Sequence, residues 1–73
     1  MSERSDGLYL PVDGTVLFCT EKAVRFEPDG GEPVWIPRSC ILGTDDSQLD
    51  DLPHRAEFRL HAFEWVWRKN GVL

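Results

Sequence analysis

Residues 55–61 alternate without a break: Ala56, Phe58 and Leu60 fall on one side, and Arg55, Glu57, Arg59 and His61 on the other. Strand side chains repeat every two residues, so this run predicts a β-strand with one buried and one wet face, His61 lying on the wet one. Residues 23–27 repeat the pattern with Val24 and Phe26 inward and Ala23, Arg25 and Glu27 outward. Pro28-Asp29-Gly30-Gly31 follows. It combines a preset φ, an Asp able to close an Asx turn and two residues free to take positive φ, so the chain should reverse there. The next apolar run, Val34-Trp35-Ile36, must end at Pro37, which lacks an N–H and biases the residue before it towards extended geometry. A hairpin of residues 23–27 and 34–36 results, with Arg25 set near Trp35 in a geometry suited to a cation–π contact.

Beyond Pro37 the pattern predicts one helical turn nucleated by Ser39, with its hydroxyl bonding the nearby backbone, and a return of Ile41 and Leu42 to the core. Upstream, residues 15–20 (Thr-Val-Leu-Phe-Cys-Thr) read as a strand. Asp13-Gly14 before them reads as a turn, and Pro11 confines residues 8–12 to an edge or an irregular entry segment. Residues 1–7 are polar, without periodicity, and are expected to fray. Residues 44–53 read as a long acidic surface loop with room for one helical turn. Residues 63–71 alternate like a strand but end like a helix, with Arg68 and Lys69 in the last turn, Gly71 suited to a left-handed cap and Val72 able to meet Trp67. A short C-terminal helix is therefore predicted. The fold expected is mainly β, a small α+β domain over residues 8–73: an SH3-like or OB-like antiparallel sheet or partial barrel of four to five strands closed by that helix.

Size and charge narrow the functions. A chain of 73 residues has a thin stability margin, and its three Trp, four Phe and one Tyr are the means of building a core from few side chains. The formal net charge of −5 argues against a binder that relies on displacing counterions from phosphate. No run is apolar and long enough for a signal segment or a membrane span, so a cytoplasmic protein is expected. Cys19 and Cys40 stand apart on separate predicted strands and read as buried thiols, not a disulfide framework.

Catalytic chemistry finds little support. Cys19, Cys40, His54 and His61 have the ligand types for zinc but none of the close pairs that preorganise such a site. Ser39 with a His and Asp45 lacks a nucleophile elbow. Gly30-Gly31 is turn chemistry, with neither lysine nor helix behind it to make a phosphate loop. No catalytic residue, metal or cofactor is therefore expected, and the chain reads as a non-enzyme. Two surface features remain. Trp35 with Arg25 and Arg38 has the composition of an interface hot spot, unless Trp35 serves to close the small core. The carboxylates Asp45, Asp46, Asp50 and Asp51 form the second, suited to a basic partner surface.

Glu21-Lys22-Ala23-Val24, Val34-Trp35-Ile36-Pro37-Arg38-Ser39 and Glu64-Trp65-Val66 through Lys69-Asn70-Gly71-Val72 together resemble small uncharacterised proteins of phages and prophages. In those, a strand opening E-K-A, an exit W-I-P-K-S-Q-I and a closing E-W-L…K-x-G-L helix recur. The resemblance covers about two thirds of the chain, and W-I-P-R-S is its most specific part; Cys40 stands where that pattern has glutamine. Residues 36–41 are also similar to the I-P-S-N-Y-V turn before the last strand of SH3 domains. The resemblance implies a mobile-element origin. It further implies a module that binds a host or phage protein complex, such as an anti-CRISPR-like inhibitor of host defence. The alternative is an accessory of phage DNA replication or recombination that touches single-stranded nucleic acid on an aromatic sheet face.

Overall fold

The structure, a computed structural model, describes residues 8–73. The expected fraying of residues 1–7 lies outside them. The order of elements is β1 (Tyr9–Cys19), β2 (Ala23–Pro28), β3 (Val34–Pro37), one 3₁₀ turn (Arg38–Cys40), α1 (Gly43–Leu49), β4 (Ala56–Phe63) and α2 (Glu64–Lys69). Four antiparallel strands make one open sheet in the order β3-β2-β1-β4. The fold is thus mainly β, a small α+β arrangement as the periodicities predicted.

The core follows from the alternation. Val16, Val24, Phe26, Ile36, Leu60 and Ala62 bring apolar side chains from all four strands to one face, and each is buried. Cys40 of the 3₁₀ turn, Ile41 just after it in an antiparallel bridge to Ala62, and Leu49, Val66 and Trp67 of the two helices cover that face. The strand β3 ends at Pro37 and gives way to the single turn, which forms without a side-chain cap. The bond expected of Ser39 is therefore not what starts it; Arg38 N–H donating to Lys22 C=O (2.9 Å) carries the chain out of the hairpin instead.

β1 departs from the sequence reading. Asp13-Gly14 is no turn: both residues lie inside an 11-residue strand that pairs with β4 over Tyr9–Val16 and with β2 from Gly14 onward. Gly14 is there because two strands cross closely at the handover. A Cβ on it would overlap the Glu27 carbonyl and lie 2.7 Å from Phe26 Cζ and 2.8 Å from Pro28 Cα. Gly14→Ala is therefore expected to cost about 1–3 kcal/mol, as overpacking against backbone does. Urea denaturation measures it; a midpoint unchanged from wild type would show that the strands can part.

Pro11 fits the same strand for a related reason. Its partner His61 uses its own backbone on the far side, donating N–H to Asp45 and accepting Leu42 N–H (2.9 Å). Pro11 and His61 thus form a pair without mutual hydrogen bonds, and the missing N–H of Pro11 faces a side that β2, ending at Pro28 opposite Gly14, does not reach.

Two further boundaries differ. Residues 44–49 of the segment read as a loop with one helical turn belong instead to the seven-residue helix α1, which starts at Gly43. Arg55, read as the first strand residue, sits at φ 61° in the turn before β4, which runs on to Phe63. The C-terminal helix forms as expected. Gly71, at φ 76°, accepts the left-handed cap; its N–H reaches Arg68 C=O (3.1 Å), and Val72 N–H reaches Trp67 C=O (2.9 Å). That pair of bonds is a Schellman motif, which satisfies carbonyls a short helix leaves open.

Candidate functional site

On the face of the sheet opposite the core, Phe18 of β1, Arg25 of β2 and Trp35 of β3 stand in one row, each in register with the next. Trp35 is 43% exposed and Phe18 49%. Their rings meet edge to face across β2 with centroids 5.4 Å apart. The Arg25 guanidinium lies 5.2 Å from the centre of the Trp35 ring, so the cation–π pairing read from the hairpin register is present. Trp35 does not close the core. Ile36 beside it does, at zero exposure.

Phe18 belongs to this row although alternation alone would not place it there. Between Val16 and Phe18 the register with β2 shifts by one residue, so Leu17 is a bulge and Phe18 turns outward beside Arg25. A β-bulge redirects a side chain in this way and leaves no signature in the hydrophobic pattern. Arg25 has no carboxylate partner among the described residues. Glu27, two residues on, shares its face.

Arg38 joins neither Trp35 nor Arg25. Its guanidinium has five N–H groups, and five acceptors surround it. Nε donates to Asp46 Oδ1 (2.8 Å), Nη1 to Thr20 C=O (3.1 Å) and Asp50 Oδ1 (3.0 Å), and Nη2 to Asp46 C=O (3.3 Å) and Asp50 Oδ2 (3.2 Å). The side chain is only 15% exposed. The hydrogen bonds it donates to Asp50, then to Asp46, hold its pKa above the ordinary arginine value, and the bond to Asp50 holds that carboxyl below the ordinary carboxylate value. Arg38 is a clamp fastening α1 to the β1–β2 turn.

Asp45 is buried. Its Oδ2 accepts the His61 backbone N–H (2.7 Å) and lies 2.9 Å from His61 Nδ1. Since β4 is the edge of the sheet, that N–H has no strand to pair with, and the Asp45 carboxylate takes the place of one. His61 is thus half-buried and partnered, not the solvated residue its strand face suggested. The acidic segment accordingly divides: Asp45, Asp46 and Asp50 bond within the chain, while Asp51 is exposed.

No protein family, curated protein or solved structure matches the chain. The site therefore rests on its own geometry. Cys40 is buried as expected, whereas Cys19 is only partly so; both are free thiols, and burial pushes the Cys19 pKa up. Among the described residues, no group of three or more His, Cys, Asp or Glu side chains is gathered to hold a metal. Arg59 is paired with Asp13 through Nε and Oδ1 (2.8 Å). A cleft of about 740 Å³ opens between the β2–β3 turn and the chain end, floored by Pro11 and Val12 and edged by Asp29 and Glu32. No described helix is long and apolar enough to cross a membrane.

Proposed function

We propose that the chain is a non-enzymatic protein-interaction module whose contact surface is the outer row of Phe18, Arg25 and Trp35. The observation that carries this reading is that two large aromatics and an arginine without a described carboxylate share one exposed face, while the buried face of the same strands is already filled. Trp and Arg concentrate binding energy when a partner desolvates them. The resemblance to phage and prophage proteins supplies the setting: a module acting in the host cytoplasm on a host or phage complex, as an anti-CRISPR-like inhibitor of a defence complex does.

The alternative, an accessory of phage replication or recombination stacking single-stranded bases on the same rings, would draw on several cations along the groove. Arg38 and Arg59 are committed to carboxylates, which leaves Arg25 as the arginine of the row. The chain's net charge of −5 also favours a protein partner.

Affinity capture from lysate of a bacterial host, run beside Trp35→Ala and Phe18→Ser proteins, tests the choice. Wild type is expected to retain a specific protein, with retention falling at least about tenfold in each variant, the scale of a hot-spot truncation. Single-stranded DNA bound at low salt, and weakened by Trp35→Ala, would establish the alternative instead. Equal capture by wild type and both variants would remove this face from the function.

A further inference from the structure

We propose that the Phe18–Arg25–Trp35 row receives an amphipathic helix that carries one carboxylate a single turn away from a large apolar side chain. This rests on the reading of that face as the contact surface and adds the chemistry of its partner.

The edge of β3 makes strand addition a poor mode of docking. Arg38 N–H donates to Lys22 C=O, so residues 22 and 38 form a hydrogen-bonded pair, and the pairs of an antiparallel ladder alternate from there. Arg25↔Trp35 and Ala23↔Pro37 are then the open pairs, whose partners on β3 point their backbone away from β2. Along that outer edge Pro33 and Pro37 have no N–H to give, which leaves the N–H of Trp35 as the single donor. An added strand needs a repeating row of donors and acceptors. Proline on an edge denies it.

The face offers what the edge lacks. From the guanidinium of Arg25 to the Trp35 ring is 5.2 Å, and from that ring to Phe18 is 5.4 Å. Side chains three or four apart on a helix are about 5–6 Å from one another. On one face of a strand, neighbours two apart are roughly 6.4–6.8 Å from each other. A helix therefore matches the spacing of the guanidinium and the rings, bringing a carboxylate to the one and an apolar side chain to the others together, whereas same-face neighbours of an extended segment stand about 1 Å farther apart. Arg25 makes the acidic group the natural counterpart, since a carboxylate can accept two N–H bonds from the guanidinium fork. Phosphate is less suited: the row holds one arginine to balance a charge of about −2, and Glu27 on the same face repels that charge more than a single carboxylate. The −5 charge of the chain further selects a helix whose remaining residues are neutral or basic.

Selection from a displayed library of random peptides of about 15 residues, four helical turns, with depletion on Trp35→Ala protein, tests this directly. Enriched sequences are expected to place Asp or Glu three or four residues from Trp, Phe or Leu. The best of them, synthesised, should gain helical circular dichroism on binding and lose affinity about tenfold on Arg25→Gln, the worth of one charge-assisted contact. Both substitutions are at the surface and leave the core untouched. Binders with acid and apolar residues two apart, without helix gain, would overturn the helical partner while keeping the docking face. Absence of any sequence that distinguishes wild type from Trp35→Ala would overturn both, as would single-stranded DNA bound on Arg25 and Trp35 instead.

Discussion

Trp67→Ala is expected to leave the chain largely unfolded at 25 °C. Trp67 is the largest fully buried side chain, and it lies where α2 meets the sheet, its ring 5.7 Å from that of Phe26. Removing a buried Trp costs about 3–5 kcal/mol. For 73 residues, total stability on the order of 4–11 kcal/mol is typical, so one substitution takes up much or all of it. Two further losses are specific to this site. The indole Nε1–H donates to Leu10 C=O (2.9 Å), tying α2 to the half of β1 that β2 does not reach. The Trp67 carbonyl accepts the Val72 N–H of the helix cap, so a displaced α2 loses its terminus as well. Trp67→Phe separates these effects: it keeps most of the apolar volume, loses the Leu10 bond and should cost about 1–2 kcal/mol. Urea denaturation read by far-ultraviolet circular dichroism measures both. A cooperative transition for Trp67→Ala with wild-type midpoint would mean that the ring does not hold the core.

That Trp67 and not Trp65 is the buried one was legible in the sequence only indirectly. The helical ending, with Gly71 and Val72, implied a contact with Trp67, and a strand reading of the same residues would have placed Trp65 and Trp67 on one face. The hairpin was fully legible, down to Arg25 beside Trp35, because alternation and a strong turn signal agree there. The acidic helix was not. Leu42, Asp45, Leu49 and Leu52 follow a three-four-three spacing that is helical, but one of its inward positions is a carboxylate, which breaks the apolar stripe on which such readings depend. Asp45 is inward because β4 is an edge strand whose His61 N–H needs an acceptor, a demand made by tertiary structure. Gly14 misled for a similar reason: its missing side chain serves a strand crossing, not a turn. Local chemistry signalled the residue types correctly and left their purpose to neighbours distant in the chain.

Arg38→Ala is the second large effect, and a local one. The fork of Arg38 gathers Asp46 and Asp50 from one side of α1 and its end, and Thr20 from the β1–β2 turn. A helix of seven residues with four polar or charged side chains in its first five has little stability of its own, and Leu49 is its one buried apolar anchor. Without the guanidinium, Asp46 and Asp50 face each other with no cation between them. Partial solvent access tempers the loss, so about 2 kcal/mol is expected, a fall in Tm of roughly 8–16 °C for a domain of this size. Arg38→Lys should recover less than half, since an ammonium cannot reproduce the planar fork.

The clamp also fixes the sign of the acid response. The Asp50 carboxyl is held below its ordinary value of 3.8 by the Arg38 hydrogen bond, so the unfolded chain takes up its proton first as pH falls. The stability this gives is complete above pH 3.8 and is lost as pH drops through the lower, folded value. Arg38→Ala should therefore approach wild type in stability under acid and fall furthest behind it near neutrality. Asp13, lowered in the same way by Arg59, keeps its own share of the acid slope in both proteins and serves as an internal reference. Hydrogen exchange locates the damage: α1 amides should lose protection in Arg38→Ala while those of β1, β2 and β4 keep theirs. Loss of protection spread evenly over the sheet would show that α1 and the strands unfold as one unit, and a stability difference independent of pH would remove Asp50 from the clamp.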